Sequence, residues 1–235
     1  MPEVLEQTKP RNSPSRPADN YTSTIYEGVY YPEEREDDMG ETSIHAKLIN
    51  RLLAMILNFF DGREDIFATT NMNLYFEPGN PRRWFAPDLL VAFGVPNVER
   101  SSYLLWREKI FPQVIVEIAS EKTWSNDIDE KLRTYEEKGA EEYYILDSEF
   151  AYLPLPLMAF RRQGANLVEL NTSNNRIFSP RLGLEIVMTE NTFRLFNPQT
   201  NEFLLSLEES EKKRNQAESE LERLKAEIKK LKKQK

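Results

Sequence analysis

The chain has 235 residues, of which 40% are hydrophobic and 30% charged, and its formal net charge is −8 at pH 7. It contains no cysteine, which excludes disulfide scaffolds, thiolate metal sites and cysteine nucleophiles. Its single histidine, His45, excludes sites built from several histidines, and the sequence has no Gly-x-Ser-x-Gly elbow and no glycine-rich nucleotide-binding loop. An enzyme of this composition must work with carboxylates, lysine, arginine and a bound ion.

Hydropathy and charge predict a soluble, cytoplasmic protein. The longest conspicuous apolar run, residues 52–57, is too short to cross a bilayer. Residues 1–20 mix acids, prolines and polar residues instead of forming a hydrophobic signal segment. The acidic balance of the chain disfavours long-range attraction of nucleic-acid phosphates, although residues 208–235 are net basic.

The predicted elements follow from hydrophobic periodicity and from turn residues. The segment 113–119 is β-branched and apolar on both faces, which predicts a central, covered strand. In chain order we expect a helix over 42–60, extended segments over 73–76, 88–93 and 113–119, a helix over 127–138 that stops before Gly139, a strand over 143–147, a hairpin around Gly164 and short strands or turns over 176–205.

The C-terminal residues show a heptad-like pattern of apolar and charged side chains. Apolar side chains recur there in steps of four and three, at Ala217, Leu221, Leu224, Ile228 and Leu231, and they are surrounded by Glu and Lys. This spacing is typical of a coiled-coil seam. A lone amphipathic helix of this length is marginal in water, so the seam indicates a partner helix; a solvated, charged tail is the alternative.

Asp88 and Glu117 are candidate functional carboxylates. Pro87 is suited to a strand entrance, which would fix Asp88 at the start of the strand, whereas an aspartate in an ordinary turn is the alternative. Strand alternation puts Glu117 on one face with Ile115 and Ala119. A carboxylate buried there needs a cation, hydrogen bonds or a proton. A purely structural salt bridge is the alternative to a functional role.

Lys131 is the third candidate, because it lies on the flank of the following helix with a stem long enough to reach the carboxylates. Asp127, one turn earlier, could orient it or form only an exposed ion pair worth about 0.3–0.5 kcal/mol. Two carboxylates about 4 Å apart repel by roughly 4 kcal/mol at an effective dielectric of about 20. A Mg²⁺ ion would remove that repulsion and could act on a phosphodiester; three independent salt bridges are the alternative.

The order and spacing of these residues resemble a known pattern. The pattern covers approximately residues 40–190 and resembles the Uma-two family of restriction-endonuclease-like proteins, a branch of the PD-(D/E)XK nuclease superfamily. The residues that carry the resemblance are Pro87-Asp88, Glu117-Ile118-Ala119-Ser120, Thr123, Asp127, Lys131, Tyr135, Gly139 and Glu142-Tyr143-Tyr144-Ile145-Leu146-Asp147.

The resemblance implies an α/β fold with a restriction-endonuclease-like mixed central sheet flanked by helices, and Mg²⁺-dependent cleavage of DNA. It assigns metal ligation to Asp88 and Glu117. The superfamily's standard motif places its lysine two residues after the acid, where this sequence has Ala119. Lys131 is therefore the expected substitute.

Glu41 and His45, one helical turn apart, also match the family's entry-helix region. Glu41 would contact a metal-bound water, and His45 would touch the site or DNA, although an ordinary helix histidine is the commoner case. Tyr135 is expected to pack the helix against the sheet. Four arginines are candidate backbone contacts, with surface solvation as an equal alternative: Arg82, Arg83, Arg161 and Arg162.

The sequence thus predicts an acidic, flexible leader over 1–39, a restriction-endonuclease-like domain over 40–206 and a coiled-coil tail over 207–235. The expected function is Mg²⁺-dependent hydrolysis of DNA, by a protein that forms a homodimer or binds another helix through its tail. The principal alternative is a non-catalytic interaction protein with a nuclease-like core. Hydrolysis of another phosphodiester, such as RNA, is a third possibility, and no membrane contact is expected.

Overall fold

The computed structural model describes residues 24–32, 43–172, 174–190 and 192–233. The helical elements are α1 (Ser43–Phe59), α2 (Leu105–Glu108), α3 (Trp124–Asn126), a π-helical segment (Asp127–Lys131), α4 (Leu132–Lys138) and α5 (Leu207–Lys233). The strands are β1 (Ile25–Tyr26), β2 (Val29–Tyr30), β3 (Ile66–Thr69), β4 (Leu74–Tyr75), β5 (Trp84–Phe85), β6 (Leu89–Phe93), β7 (Tyr103–Leu104), β8 (Val114–Ile118), β9 (Glu142–Leu146), β10 (Leu157–Gln163), β11 (Asn166–Glu169), β12 (Arg176–Ser179), β13 (Leu184–Met188), β14 (Phe193–Asn197) and β15 (Glu202–Phe203).

The central sheet has six strands in the order β11-β10-β9-β8-β6-β3. Only β8 and β9 run parallel within it; the other neighbours are antiparallel. Among the described residues, the remaining strands form the β1–β2 hairpin, a three-stranded sheet (β5-β4-β7) and a four-stranded antiparallel sheet (β12-β13-β14-β15). The predicted mixed central sheet flanked by helices is confirmed.

The register between β6 and β8 determines which side chains meet at the end of the two strands. Leu89 is paired with Val116 in this antiparallel ladder. Continuing the register by one residue sets Asp88 opposite Glu117. Directly opposed residues of an antiparallel pair project to the same face, so these two carboxylates are neighbours.

The two faces of the central sheet have separate hydrophobic cores. Val114, Val116 and Ile118 of β8 join the core shared with α1 and with strands β13 and β14. Ile115 and Ala119 join the opposite core, which includes residues of α4 and of the π-helical segment. This alternation confirms the predicted faces of β8, and it directs Glu117 toward the helical segment.

Most predicted elements are found near their expected positions. The helix expected over 42–60 is α1, although residue 42 lies outside the described part of the chain. The helix expected over 127–138 begins earlier, at Trp124, and ends as expected at Lys138, with Gly139 as its C-cap at a φ of 106° that suits glycine. The hairpin at Gly164 joins β10 to β11, and the strands expected after residue 176 are β12 to β15.

Part of the stretch expected to be a leader is described. Residues 24–32 contain the β1–β2 hairpin, where Tyr31 is buried against the rings of Tyr75 and Trp106. The rest of the expected leader lies outside the described residues, and the three-part division of the chain stays a prediction. None of the helices within the described ranges is long and apolar enough to cross a membrane.

Candidate active site

At the end of the β6–β8 ladder, Asp88 and Glu117 are held by two side-chain-to-backbone hydrogen bonds between the strands. The backbone N–H of Asp88 donates to Glu117 Oε2 at 3.3 Å. In return, the backbone N–H of Ile118 donates to Asp88 Oδ2 at 2.6 Å. The side chain of Asp88 is 16% exposed and that of Glu117 is fully buried, so only the former borders solvent.

Lys131 lies between two carboxylates. Its Nζ is 3.0 Å from Glu117 Oε2 and 2.8 Å from Asp127 Oδ1, and its side chain is only 12% exposed. Asp127 is not on the surface, because its side chain is 1% exposed. The Asp127–Lys131 contact is therefore a buried bridge to the strand carboxylate, instead of an exposed helical ion pair.

The π-helical segment aligns the helix with the strand. In an α-helix, residues four apart differ by about 40° around the axis, and the wider π turn reduces that drift. Asp127, Lys131 and Tyr135 are spaced by four residues; Lys131 and Tyr135 both contact Glu117 of β8, and Asp127 contacts Lys131. Single π turns are frequent at functional sites, which is consistent with this placement.

Two tyrosine hydroxyls complete the buried side of the cluster. Tyr135, fully buried, donates to Glu117 Oε1 at 2.6 Å. Tyr143 on β9 donates to the backbone carbonyl of Asp127 at 2.9 Å, which fixes the helix start over the sheet. Tyr135 packs against the ring of Tyr143 as expected, but its bond to Glu117 was not predicted.

His45 enters the cluster from α1. It lies on the buried face of this helix, and its Nε2 is 3.1 Å from Asp88 Oδ2. The structure therefore brings together Asp88, Glu117, Asp127, Lys131 and His45. Glu41 lies outside the described residues. Ala119, where the resemblance led us to look for a lysine, is buried in the core, and the ammonium of Lys131 lies beside Glu117.

Burial and the neighbouring charges shift the pKa values of the clustered side chains. Burial raises the pKa of Glu117 to about 8; Lys131 opposes this shift, and the charges of Asp88 and Asp127 add to it. Burial also raises the pKa of Asp127. For Lys131, burial lowers the pKa, but the surrounding carboxylates outweigh it and the net pKa is raised.

The donor pattern around Glu117 suits its ionised form. The N–H of Asp88, the ammonium of Lys131 and the hydroxyl of Tyr135 all point to its two oxygens. Burial and the neighbouring negative charges instead favour a proton on Glu117. A divalent cation bound beside Asp88 would favour the ionised form of Glu117 over the protonated form.

The residues present fit a hard divalent ion that keeps several other ligands. Two carboxylates contact the ammonium of Lys131, and the opposed pair Asp88 and Glu117 supplies the oxygen donors that Mg²⁺ prefers. In the part of the chain that the structure describes, no group of three or more His, Asp and Glu side chains could by itself hold a metal. Waters and a substrate phosphate would complete the coordination, as is usual for Mg²⁺.

The proposed arginine contacts differ in their availability. The guanidinium of Arg162 donates to the backbone carbonyls of Glu136, Ala140 and Ala165, so it holds α4 to the hairpin and is not available for a phosphate. Arg161 donates to the carbonyl of Phe178.

The sequence matches one family model, "Uma2: Putative restriction endonuclease", over residues 31–191. The chain belongs to the Uma2 family. This membership confirms the resemblance noted from the motif residues and places the protein in a nuclease family with a restriction-endonuclease-like fold. Families of this kind generally depend on a metal ion.

Comparison with solved structures finds "a putative nuclease belonging to DUF820 from Anabaena variabilis ATCC 29413". The sequences are 15% identical, the TM-score is 0.45, and the match covers 67% of this chain and 80% of that chain. No curated protein matches the sequence significantly.

Proposed function

We propose that this Uma2 protein is a Mg²⁺-dependent endonuclease that hydrolyses DNA phosphodiester bonds. The observation that carries the proposal is the opposed pair Asp88 and Glu117, with the ammonium of Lys131 held 3.0 Å from Glu117. A structural ion pair needs one acid and one base. Here Lys131 bridges two carboxylates, Glu117 and Asp127, and a third, Asp88, lies beside the imidazole of His45 at a partly open position that suits a bound cation.

In the proposed site, Asp88 and Glu117 hold the ion. When bound, Mg²⁺ polarises the phosphodiester and lowers the pKa of an attacking water. Lys131 orients that water or stabilises the negative charge that develops on the phosphate oxygens. Asp127 holds the ammonium in place, Tyr135 fixes the rotamer of Glu117, and His45 positions the carboxylate of Asp88.

A nuclease assay with Mg²⁺ and a panel of DNA and RNA substrates tests this function. Asp88→Asn and Glu117→Gln preserve side-chain shape and remove the charge, so we expect each to abolish cleavage. Asp129→Asn is the matched control, because this exposed carboxylate on the same helical segment pairs with the exposed Arg133. Folding of each variant is checked by circular dichroism.

The outcomes separate the alternatives. Cleavage of DNA that requires Mg²⁺ and both carboxylates supports the proposal, whereas cleavage restricted to RNA changes its substrate. Cleavage that survives both substitutions rejects the site. A well-folded wild type that cuts nothing on the panel favours the non-catalytic alternative, in which the nuclease-like core serves as an interaction module.

We also propose that α5 serves assembly, with a second copy or with another helix as its partner. The apolar residues of its seam are exposed within this chain: Leu221 by 51%, Leu224 by 49% and Ile228 by 53%.

A further inference from the structure

Helix α5 leaves the domain with one end anchored and a long part uncovered. At its start, Glu209 accepts from the backbone N–H of Ser206 and pairs with Arg194 of β14. Every residue from 211 to 225 is exposed. Most helical stability in proteins comes from packing an amphipathic face, so we expect the outer part of α5 to pack against another surface.

The heptad positions of α5 define an apolar seam, here called the α5 seam. Counting from Leu207 as position a, the seam contains Leu207, Ser210, Arg214, Ala217, Leu221, Leu224, Ile228 and Leu231 at alternating a and d positions. It is apolar from Ala217 onward, and polar residues interrupt it only near the domain. A polar residue at an a position favours one register at a cost in stability.

The charges that flank the α5 seam show what partner it fits. Lys213 and Glu220 occupy successive g positions, and Glu218 and Lys225 occupy the e positions that follow them. In a parallel, in-register pair, each g residue faces the e residue of the next heptad on the other helix. Lys213 would therefore face Glu218, and Glu220 would face Lys225.

Both of these pairs are attractive, and two-fold symmetry makes each of them twice. The sequence repeats the pattern once more, with Glu227 at a g position and Lys232 at the following e position. In an antiparallel pair, g residues face g residues instead, and Glu220 would then meet Glu227 when the two seams are centred on each other. The charge order thus favours the parallel arrangement of identical helices.

We infer that α5 forms a parallel, in-register coiled coil with a second copy of this chain. The occupant of the α5 seam is a second α5, because the flanking charges complement themselves. Since α5 is anchored at its first turn, both globular domains then lie at the same end of the coil. This assembly is independent of the proposed cleavage and would stand if the protein were inactive.

Sedimentation equilibrium of the full chain tests self-association, at protein concentrations from about 1 to 200 µM. We expect a reversible dimer. Glu220→Lys places like charges opposite Lys225 twice, and should raise the dissociation constant by up to about tenfold. Glu208→Lys, the same substitution at an exposed b position distant from Lys225, should leave it unchanged.

Combining Glu220→Lys with Lys225→Glu exchanges the two charges and should restore the wild-type dissociation constant. This rescue requires that the two positions face each other, which happens only in the parallel register. A wild type that stays monomeric throughout the range overturns the inference. A dimer whose double variant remains as weak as Glu220→Lys rejects the parallel register.

Cysteine cross-linking measures the register directly, because the wild-type chain has no cysteine. Ala217→Cys and Leu224→Cys, made separately at d positions, should each form a disulfide-linked dimer on mild oxidation. In an antiparallel pair at most one of these positions faces itself, so cross-linking at one position alone rejects the inference. Ser219→Cys, on the outer face, is the control and should remain uncross-linked.

Discussion

Replacement of Lys131 by methionine removes the charge at the centre of the cluster and keeps most of the apolar stem. The ammonium lies 3.0 Å from Glu117 and 2.8 Å from Asp127, and all three side chains are nearly or fully buried. Removing one partner of a buried ion pair typically costs about 3–5 kcal/mol, because the remaining charge is left uncompensated. We expect Lys131→Met to lower the free energy of unfolding by that amount in metal-free buffer at a pH above about 8, where Glu117 is ionised in the folded wild type.

Urea denaturation followed by circular dichroism measures this loss. Lys138→Met is the matched control on α4, because its ammonium pairs with the exposed carboxylate of Glu137. Its cost should stay below about 1 kcal/mol. Mg²⁺ should recover part of the loss in Lys131→Met, because the ion replaces the missing positive charge between the carboxylates. Equal losses in the two variants would refute the reasoning.

Three further predictions concern the same face of the sheet. Tyr135→Phe leaves Glu117 Oε1 without its donor and should lower the free energy of unfolding by about 1–3 kcal/mol, measured with urea. In the folded protein the pKa of Glu117 is raised to about 8 from its ordinary value of 4.5. Its contribution to stability should therefore fall as pH rises across that window, and Glu117→Gln should remove this slope from metal-free denaturation curves. Gly139→Ala should cost about 1–2 kcal/mol in thermal unfolding through backbone strain alone, because no atom lies within 4 Å of the added Cβ.

The carboxylates of the candidate site could be identified from sequence because each breaks a local pattern. Glu117 is a charged residue in an otherwise apolar, β-branched strand, so alternation alone predicted a buried acid on a known face. Asp88 had a weaker local signal. Its position opposite Glu117 depends on the β6–β8 register, which a single sequence does not determine.

The helix side of the cluster was only partly predictable. Periodicity placed Lys131 on the flank of its helix, and the structure takes its ammonium into the sheet core. The burial of Asp127 and the hydroxyl bond of Tyr135 depend on the π turn and on the helix-to-sheet distance. Neither the π turn nor the helix-to-sheet distance can be predicted from the spacing of hydrophobic residues. Arg162 was likewise a surface candidate, and only the fold shows it holding three backbone carbonyls.

The most direct test of the central claim is a crystal structure of the full chain soaked with Mn²⁺, an anomalous scatterer that replaces Mg²⁺ at oxygen sites. If Asp88 and Glu117 hold the ion, one anomalous peak should lie within coordination distance of a carboxylate oxygen of each residue. The same peak should be missing from crystals of Asp88→Asn. Manganese bound only elsewhere, with Lys131 still bridging Glu117 and Asp127 as in the metal-free site, would contradict the account.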